Sequence, residues 1–230
     1  MNGLLIFIGE SFRLGNQGTR NRGSQESYPE QIKACKSHIQ FIEHITNQFE
    51  LNISVIVSTY NTPYNDDLLK VYSKYLIGSN LYDNVIGLNT LFHNSIKNVE
   101  NYDFIQYIRI DLFLKPHFNT VFNPIWSTIR FPTICFIPYH KVDNDPRVND
   151  TMLFIPKKYY KYIKNIKVYH DTWHELIKNT DLIYDDLDVM INTYHDSDSF
   201  KDLNPLYYIV NRPESTKWHC EFDIFDKELR

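Results

Sequence analysis

Residues 101–116 read NYDFIQYIRIDLFLKP, and this stretch looks like a buried strand that ends in two charged residues. Side chains alternate between the two faces of a β-strand, so residues two apart share a face. One face is apolar and consists of Phe104, Ile108, Ile110 and Leu112. The other face passes from apolar to charged along Ile105, Tyr107, Arg109 and Asp111. The pattern predicts a strand over 104–111 whose C-terminal end is charged, at the edge where open α/β sheets bind ligands. An ordinary surface ion pair is the alternative.

Strand-like and helix-like segments alternate outward from this stretch. Apolar or alternating runs predict strands at 3–9, 52–59, 84–88, 104–111, 132–138 and 151–156. Helices are predicted from Ser27, where Glu30 completes a capping box, at 65–77, at 89–99 and in three segments toward the C-terminus. We therefore predict an α/β fold with a mostly parallel central sheet flanked by helices, as one domain over residues 1–230.

The composition excludes several classes of protein. The chain has 230 residues, of which 43% are hydrophobic, as is typical of a globular protein. Its net charge of −4 argues against a protein that binds along the backbone of a nucleic acid, because such binding needs a basic surface. The three cysteines lie far apart without metal-ligand spacing, which favours reduced thiols in a cytoplasm. No signal peptide and no transmembrane segment is predicted. Alanine occurs once, at Ala34, which is typical of an AT-rich genome.

The loop after the first strand is long and basic. It carries Arg13, Arg20 and Arg22 among several glycines, just before the first helix. Arginine forks match phosphate oxygens, and glycines let the backbone approach a ligand. The loop lacks the Gly-Lys-Ser/Thr of a P-loop and the Gly-x-Gly-x-x-Gly of a dinucleotide fold. It is therefore either a phosphate-binding loop of another type or a solvated loop.

A carboxylate at the end of a strand suits a hard divalent cation. Asp111 could hold Mn²⁺ or Mg²⁺ through oxygen, with diphosphate oxygens and water completing the coordination. Arg109 could neutralise phosphate charge or orient Asp111. Together with the basic loop, the two residues suggest a nucleoside diphosphate as ligand.

Four stretches resemble nucleotide-sugar-dependent glycosyltransferases of the GT-A fold, especially those encoded by large DNA viruses. LLIFIGESFRLGNQGTR is similar to the first strand and nucleotide-binding loop, and NISVIVSTYNT to the family's Val-Ile-Val-x-Thr-Tyr-Asn strand. YDFIQYIRIDLFLKP resembles the strand that ends in the Asp-x-Asp metal motif, although Arg109 replaces the first aspartate. RVNDTMLFIPKKYY is similar to the step near the donor sugar. The resemblance covers roughly residues 3–162.

The resemblance implies roles for particular residues. It implies a nucleotide-binding half over about 1–112 and an acceptor half over about 113–230. Metal ligands would be Asp111 and His195, and the catalytic residue would be Asp150. Residues expected at the nucleotide are Gly9, Glu10, Ser11, Arg13, Arg20, Tyr60 and Arg109.

The function expected from the resemblance is transfer of a hexose or pentose from a UDP- or GDP-linked donor to a glycan or glycoprotein acceptor. If the reaction inverts the anomeric centre, a carboxylate must take the proton of the acceptor, and Asp143 and Asp145 are candidates beside Asp150. A sugar nucleotidyltransferase is an alternative, because GNQGTR at 15–20 is similar to the Gly-x-Gly-Thr-Arg of that class. A non-catalytic glycan-binding or assembly protein is another. The expected location is cytoplasmic, in the host if the chain is viral.

Overall fold

Alternating strands and helices make up the part of the chain that the structure describes. A computed structural model describes residues 1–15, 21–131, 151–164, 184–186 and 206–211. The helices are Tyr28–Phe49 (α1), Asn65–Tyr72 (α2), Leu88–Ser95 (α3), Pro116–Val121 (α4) and Tyr160–Ile163 (α5). The strands are Asn2–Gly9 (β1), Arg13–Leu14 (β2), Asn21–Arg22 (β3), Asn52–Tyr60 (β4), Leu76–Tyr82 (β5), Phe104–Arg109 (β6), Leu112–Leu114 (β7), Ile129–Phe131 (β8), Met152–Pro156 (β9), Tyr184–Asp186 (β10) and Tyr207–Ile209 (β11).

Seven of these strands form one sheet in the order β10-β8-β9-β6-β1-β4-β5. Strand β1 lies at its centre and pairs in parallel with both β4 and β6, and β4 pairs in parallel with β5. Strand β9 is antiparallel to β6 and to β8, so it alone in this sheet runs against the other described strands. The predicted α/β class with a mostly parallel sheet flanked by helices is confirmed.

The sheet is buried on both faces, which explains why β1 is a continuous apolar run. Leu5 and Phe7 pack on one face against helix α1, and Leu4, Ile6 and Ile8 pack on the other face with residues of α3. Gly3 is required by a close approach, since a Cβ there would lie 2.3 Å from the ring of Phe104. Each face of the sheet therefore carries its own apolar core.

The alternation predicted for residues 104–112 is confirmed. Phe104, Ile108, Ile110 and Leu112 belong to the core on the α1 face, whereas Ile105 and Tyr107 belong to the opposite core. The regular strand ends at Arg109, two residues earlier than predicted, and residues 110–111 form a turn into β7. Asp111 therefore lies in a turn rather than on the strand.

The third parallel strand was placed wrongly by the sequence prediction. Residues 84–88 form no strand, and the strand beside β4 is β5 at Leu76–Tyr82, because the helix predicted over 65–77 ends at Tyr72. Strand β5 is the last strand of the sheet on that side, and none of its residues is fully buried. A half-buried edge strand that contains Gly78 and Asn80 lacks the strong apolar signal of a central strand.

The capping box predicted at Ser27 is also wrong. Ser27 is the N-cap residue of helix α1 and Pro29 lies in its first turn, both as expected, but the Ser27 side chain makes no capping hydrogen bond. Its hydroxyl instead donates to the carbonyl of Ser24, 2.7 Å away, within a 3₁₀ turn over residues 25–27 that precedes the helix. The Ser27 hydroxyl therefore bonds within this turn instead of bonding the N–H groups of the first helical turn.

Three predictions about the whole chain remain. Among the described helices, none has the length and apolarity that a membrane crossing requires. The division into halves at residue 112 stays a prediction. The strand predicted at 132–138 and most of the helices predicted toward the C-terminus lie outside the described residues.

His38 connects helix α1 to the segment that follows the Asp111 turn. It is 0% exposed and stacks on Phe7 with ring centroids 4.4 Å apart. Nε2 lies 2.6 Å from the Leu112 carbonyl, which can only accept, so Nε2 carries the proton and Nδ1 accepts from the Tyr72 hydroxyl at 2.6 Å. Burial lowers the pKa of His38 from 6.5 to about 4, although the Leu112 bond and the charge of Asp111 oppose this shift.

We expect acid to destabilise the protein through His38. The unfolded chain binds the proton below pH 6.5 and the folded chain only near pH 4, so stability is fully present above pH 6.5 and falls as the pH drops toward 4. The free energy of unfolding in urea should fall by about 2 kcal/mol from pH 7.5 to pH 5 on this account. His38→Gln should remove that slope, whereas the same change at the exposed His44 should keep it. An unchanged slope in His38→Gln would contradict the assignment.

Candidate functional site

The C-terminal ends of the three central parallel strands meet at one edge of the sheet. In the strand register Gly9 lies opposite Thr59 of β4, and Ile8 lies opposite Arg109 of β6. The Ile110 N–H continues this pairing by donating to the Ile8 carbonyl at 2.8 Å. The loop after β1 and the turn after β6 therefore start side by side, which is the position where open parallel sheets bind ligands.

The loop after β1 is fixed at its start by Thr59. Its hydroxyl donates to the Gly9 carbonyl at 2.7 Å and accepts from the Ser11 N–H at 3.2 Å. Because the one proton of Thr59 is used for Gly9, the Ser11 hydroxyl donates to Thr59, 2.9 Å away. Gly9 has φ +123°, which residues with a side chain rarely adopt, and Ser11 is only 1% exposed. The hydrogen bonds of Gly9 and Ser11 to Thr59 thus fix the conformation of the first residues of the loop.

Phe12 holds the next step of the loop in an unusual conformation. It has φ +50°, in the left-handed region that a bulky residue seldom occupies, and its ring is completely buried between Tyr28 and Tyr64. Its N–H donates to Gln31 of helix α1, and its carbonyl accepts from the Ser24 N–H. The surrounding contacts over-determine this strained residue, as is typical of functional loops.

Glu10 lies between two arginines of the loop. Arg13 and Arg22 face each other across the short β2–β3 hairpin. A Glu10 oxygen lies 2.9 Å from Nη1 of Arg13, and its other oxygen accepts from Nη2 and Nε of Arg22 at 2.9 and 3.2 Å. Arg22 also lies over the ring of Tyr60, 4.8 Å from its centroid. Two guanidinium groups against one carboxylate give this arginine hairpin, formed by Glu10, Arg13 and Arg22, a net positive charge.

Arg109 and Asp111 form a bidentate pair at the end of β6. Nε of Arg109 donates to one carboxylate oxygen of Asp111 at 3.0 Å, and Nη2 donates to the other at 2.6 Å. The side chains are 13% and 5% exposed, so the pair is largely removed from water. The Asp111 turn is further held by the Val210 N–H, which donates to the Asp111 carbonyl at 2.8 Å.

Two bridges join the arginine hairpin to this pair. The Gln31 side chain accepts from the Phe12 N–H at 3.2 Å and donates to the Ile110 carbonyl at 2.7 Å, so one amide connects both loops. On the other side, the Asn211 carbonyl accepts from the Gly15 N–H, while the preceding Val210 contacts the Asp111 turn. The loop after β1 and the charged end of β6 are therefore neighbours in the structure, joined through their backbones. That their guanidinium groups bind one ligand stays a prediction.

The described residues do not fit a divalent cation at Asp111. They contain no cluster of three or more histidines, cysteines or carboxylates that could hold a metal. Both oxygens of Asp111 already bind Arg109. A dication on that carboxylate would lie about 5 Å from the guanidinium, and the Coulomb repulsion between the two would be about 7 kcal/mol at an effective dielectric constant of about 20. The predicted ligand His195 lies outside the described residues.

The other predicted site residues divide into two groups. The structure brings Gly9, Glu10, Ser11, Arg13, Tyr60 and Arg109 to one sheet edge with Asp111. Arg20 and the three aspartates considered as base, namely Asp143, Asp145 and Asp150, lie outside the described residues. Thr151 donates its hydroxyl to Tyr207, and its carbonyl accepts from the Arg109 N–H at 2.9 Å.

Sequence reasoning missed Gln31 and Asn211. Gln31 lies on the buried stripe of helix α1 together with Cys35, His38 and Ile42, and it is 1% exposed. A polar residue on an otherwise buried helical stripe is a signal of a specific partner, because a buried amide must be hydrogen-bonded. Asn211, which also donates to the Ser27 carbonyl, follows a short strand and gives no comparable signal.

Known proteins similar to this chain are found among solved structures. No protein-family model and no curated protein matches. The catalytic domain of Drosophila beta1,4-galactosyltransferase 7 in complex with xylobiose gives a TM-score of 0.49 at 10% identity, covering 95% of this chain and 72% of that one. HddC from Yersinia pseudotuberculosis gives a TM-score of 0.46 at 11% sequence identity, and the match covers 80% of this chain and 88% of HddC. A glycosyltransferase involved in glycosylation of the PBCV-1 major capsid gives a TM-score of 0.43 at 8% sequence identity, and the match covers 90% of this chain and 91% of that one. At these scores and identities, none of them determines what this chain does.

Asp111→Asn should strongly destabilise the protein, because it removes the carboxylate from a guanidinium that stays buried. We expect the free energy of unfolding in urea to fall by about 3 kcal/mol. The double variant Arg109→Met with Asp111→Asn should lose less than Asp111→Asn alone, since no buried charge remains. Glu43→Gln, which breaks the exposed pair with Lys74, is the control and should change little. A loss in Asp111→Asn as small as in the control would contradict the buried pair.

Proposed function

We propose that this chain is a nucleotide-sugar-dependent glycosyltransferase. The observation that carries the proposal is the convergence of the arginine hairpin and the Arg109–Asp111 pair at the C-terminal edge of three parallel strands. Guanidinium groups bind phosphate oxygens in bidentate geometry, and their partner carboxylates hold them in place before the ligand arrives. The donor would be a UDP- or GDP-linked hexose or pentose, and the acceptor a glycan or glycoprotein.

The reaction requires positive charge where the leaving group forms. Breaking the bond between the anomeric carbon and the diphosphate leaves negative charge on the diphosphate, and fixed charges stabilise it without rearranging. In this proposal Arg13, Arg22 and Arg109 supply that charge, and Arg20 is a further candidate. Glu10 and Asp111 orient the guanidinium groups, and the ring of Tyr60 packs against the guanidinium group of Arg22. Gly9 and Ser11 shape the backbone that approaches the nucleotide.

Asp150 is the proposed catalytic base for the acceptor hydroxyl. Its neighbour in the chain, Thr151, lies beside Arg109, because the Arg109 N–H donates to the Thr151 carbonyl at 2.9 Å. Thr151, the residue that follows Asp150 in the chain, is therefore adjacent to the charged end of β6. Asp143 and Asp145 remain candidates for the same proton transfer, which applies only if the anomeric centre inverts.

A sugar nucleotidyltransferase is the second candidate within the same ligand class. It would use the same phosphate-binding edge, and its similarity resides in GNQGTR at 15–20, of which residues 16–20 lie outside the described part. The two activities differ in their products. Release of a nucleoside diphosphate from a nucleotide sugar supports the glycosyltransferase, and release of pyrophosphate from a nucleoside triphosphate and a sugar phosphate supports the nucleotidyltransferase. A non-catalytic glycan-binding protein would release neither.

Arg22→Gln should weaken nucleoside diphosphate selectively. Loss of a charge-assisted hydrogen bond should reduce the affinity for UDP or GDP about tenfold or more in calorimetric titrations, while uridine or guanosine binds as before. Lys74→Gln removes the same charge from an exposed pair elsewhere and serves as the matched control. Equal losses for nucleoside and nucleoside diphosphate would show that Arg22 does not contact phosphate.

Divalent metal should have a small effect on donor binding. The resemblance implies Mn²⁺ or Mg²⁺ at Asp111 with His195, but Arg109 already occupies both carboxylate oxygens. We expect UDP or GDP to bind in EDTA with an affinity within about tenfold of that in Mn²⁺, a difference of about 1.4 kcal/mol. Binding that disappears in EDTA and returns with Mn²⁺ would favour the metal site of the resemblance over the arginine pair.

A further inference from the structure

Gln31 is buried between the two loops that form the proposed site. It is 1% exposed, and its side chain reaches a donor on one side and an acceptor on the other. Oε1 lies 3.2 Å from the Phe12 nitrogen, and Nε2 lies 2.7 Å from the Ile110 carbonyl oxygen. Only this orientation of the amide satisfies both partners, because Phe12 N–H can only donate and the Ile110 carbonyl can only accept.

The two bonded backbone groups lie next to the charged residues of the site. Phe12 immediately precedes Arg13 and has φ +50°, and Ile110 separates Arg109 from Asp111. A shift of either backbone would move a guanidinium group that must meet the diphosphate. Two other buried polar side chains of helix α1 bond residues of β7: the Ser37 hydroxyl accepts from the Leu114 N–H at its far end, and His38 bonds the Leu112 carbonyl. Neither of them bonds the loop after β1.

We propose that Gln31 is a positioning residue that sets the arginine hairpin and the Arg109–Asp111 pair at the spacing a diphosphate requires. The inference rests on the proposed function, and it adds a residue that does not itself contact the ligand. Gln31 acts through Phe12 and Ile110, so its loss should separate the two groups of charges rather than remove a charge. The buried amide is thus the one side chain of helix α1 that bonds both loops directly, beside the backbone bridge through Val210 and Asn211.

Gln31→Met is the first variant that tests the inference, with Ser37→Ala as matched control. Both remove one buried polar group from the same helix face. Gln31→Met should bind UDP or GDP about five- to tenfold more weakly, because the hydrogen bonds that align the charges are lost. Ser37→Ala should bind as the unmodified protein does. Equal affinities in Gln31→Met and Ser37→Ala would overturn the positioning role.

Gln31→Glu provides a second test with a pH-dependent readout. A protonated carboxyl can still accept from Phe12 and donate to Ile110, whereas the ionised form faces the Ile110 carbonyl with a negative oxygen. Affinity of this variant for UDP or GDP should therefore approach that of the unmodified protein at acid pH and fall as the pH rises. Cys35, which contacts Gln31 at 3.6 Å, has its pKa raised by burial to about 11 and stays protonated over this range. The same profile in Gln31→Met would overturn the inference.

Hydrogen exchange separates this inference from the proposed function, because it needs no ligand. In Gln31→Met the amides of residues 10–13 and of residues 109–112 should exchange faster together, and in Ser37→Ala the Leu114 amide should. Faster exchange confined to Phe12 would overturn the coupling between the loops. If no form of the protein binds UDP or GDP while both segments respond to Gln31, the proposed ligand is wrong and the coupling role stands.

Discussion

Parallel hydrogen bonding of β1 to strands on both sides is the constraint on which the molecule depends. Residues Asn2 to Gly9 pair in register with β4, and Gly3 to Ile8 pair with β6. Because all three strands run the same way, their C-terminal ends must lie at a single edge. Each face of β1 belongs to a different apolar core, so a slip of one residue would exchange the two sets of side chains. The location of the charged residues thus follows from the burial of apolar ones.

The ion pairs at this edge of the sheet cost free energy of desolvation, and they hold their guanidinium groups in fixed orientations. Removing ions from water is expensive, and a buried pair repays that cost only with good geometry, which the two bonds between Arg109 and Asp111 supply. Glu10 accepts two hydrogen bonds from Arg22 through one oxygen, and its other oxygen lies 2.9 Å from Nη1 of Arg13. Charges held in this way are oriented before a ligand arrives, which is the arrangement that favours stabilising a developing anion. The side chains that form these ion pairs are therefore the same ones to which the proposed function assigns anion binding.

The sequence allowed the central part of the fold to be predicted, because its signals come from burial. The apolar run of β1 and the alternation over 104–112 both reflect two-sided packing, and both are confirmed. Strand β5 was missed because an edge strand buries too little to show a pattern. The neighbouring positions of the loop after β1 and the Asp111 turn follow from strand direction alone, because β1 and β6 are parallel and end at the same edge of the sheet.

The partners within the site were harder to predict, since they depend on three-dimensional reach. Nothing in the spacing of Glu10 and Arg22, twelve positions apart, says that they form a pair, because a loop can fold in many ways. Gln31 likewise shows in the sequence only as an amide on a helical stripe, and the two backbone groups that it joins lie 19 and 79 positions away. Such long-range polar contacts leave no local pattern.

The antiparallel pairing of β11 with β7 joins parts of the chain that are synthesised far apart in time. Tyr207–Ile209 add to Leu112–Leu114, and the next residues contact Asp111 and Gly15. A ribosome that adds about 5–20 residues per second needs roughly 5–20 s to pass from one strand to the other. Until β11 has been synthesised, the Asp111 carbonyl lacks the Val210 N–H that bonds it in the folded protein. The hydrogen bonds that Val210 and Asn211 contribute at this edge are therefore the last part of it to be synthesised, after every strand of the central sheet.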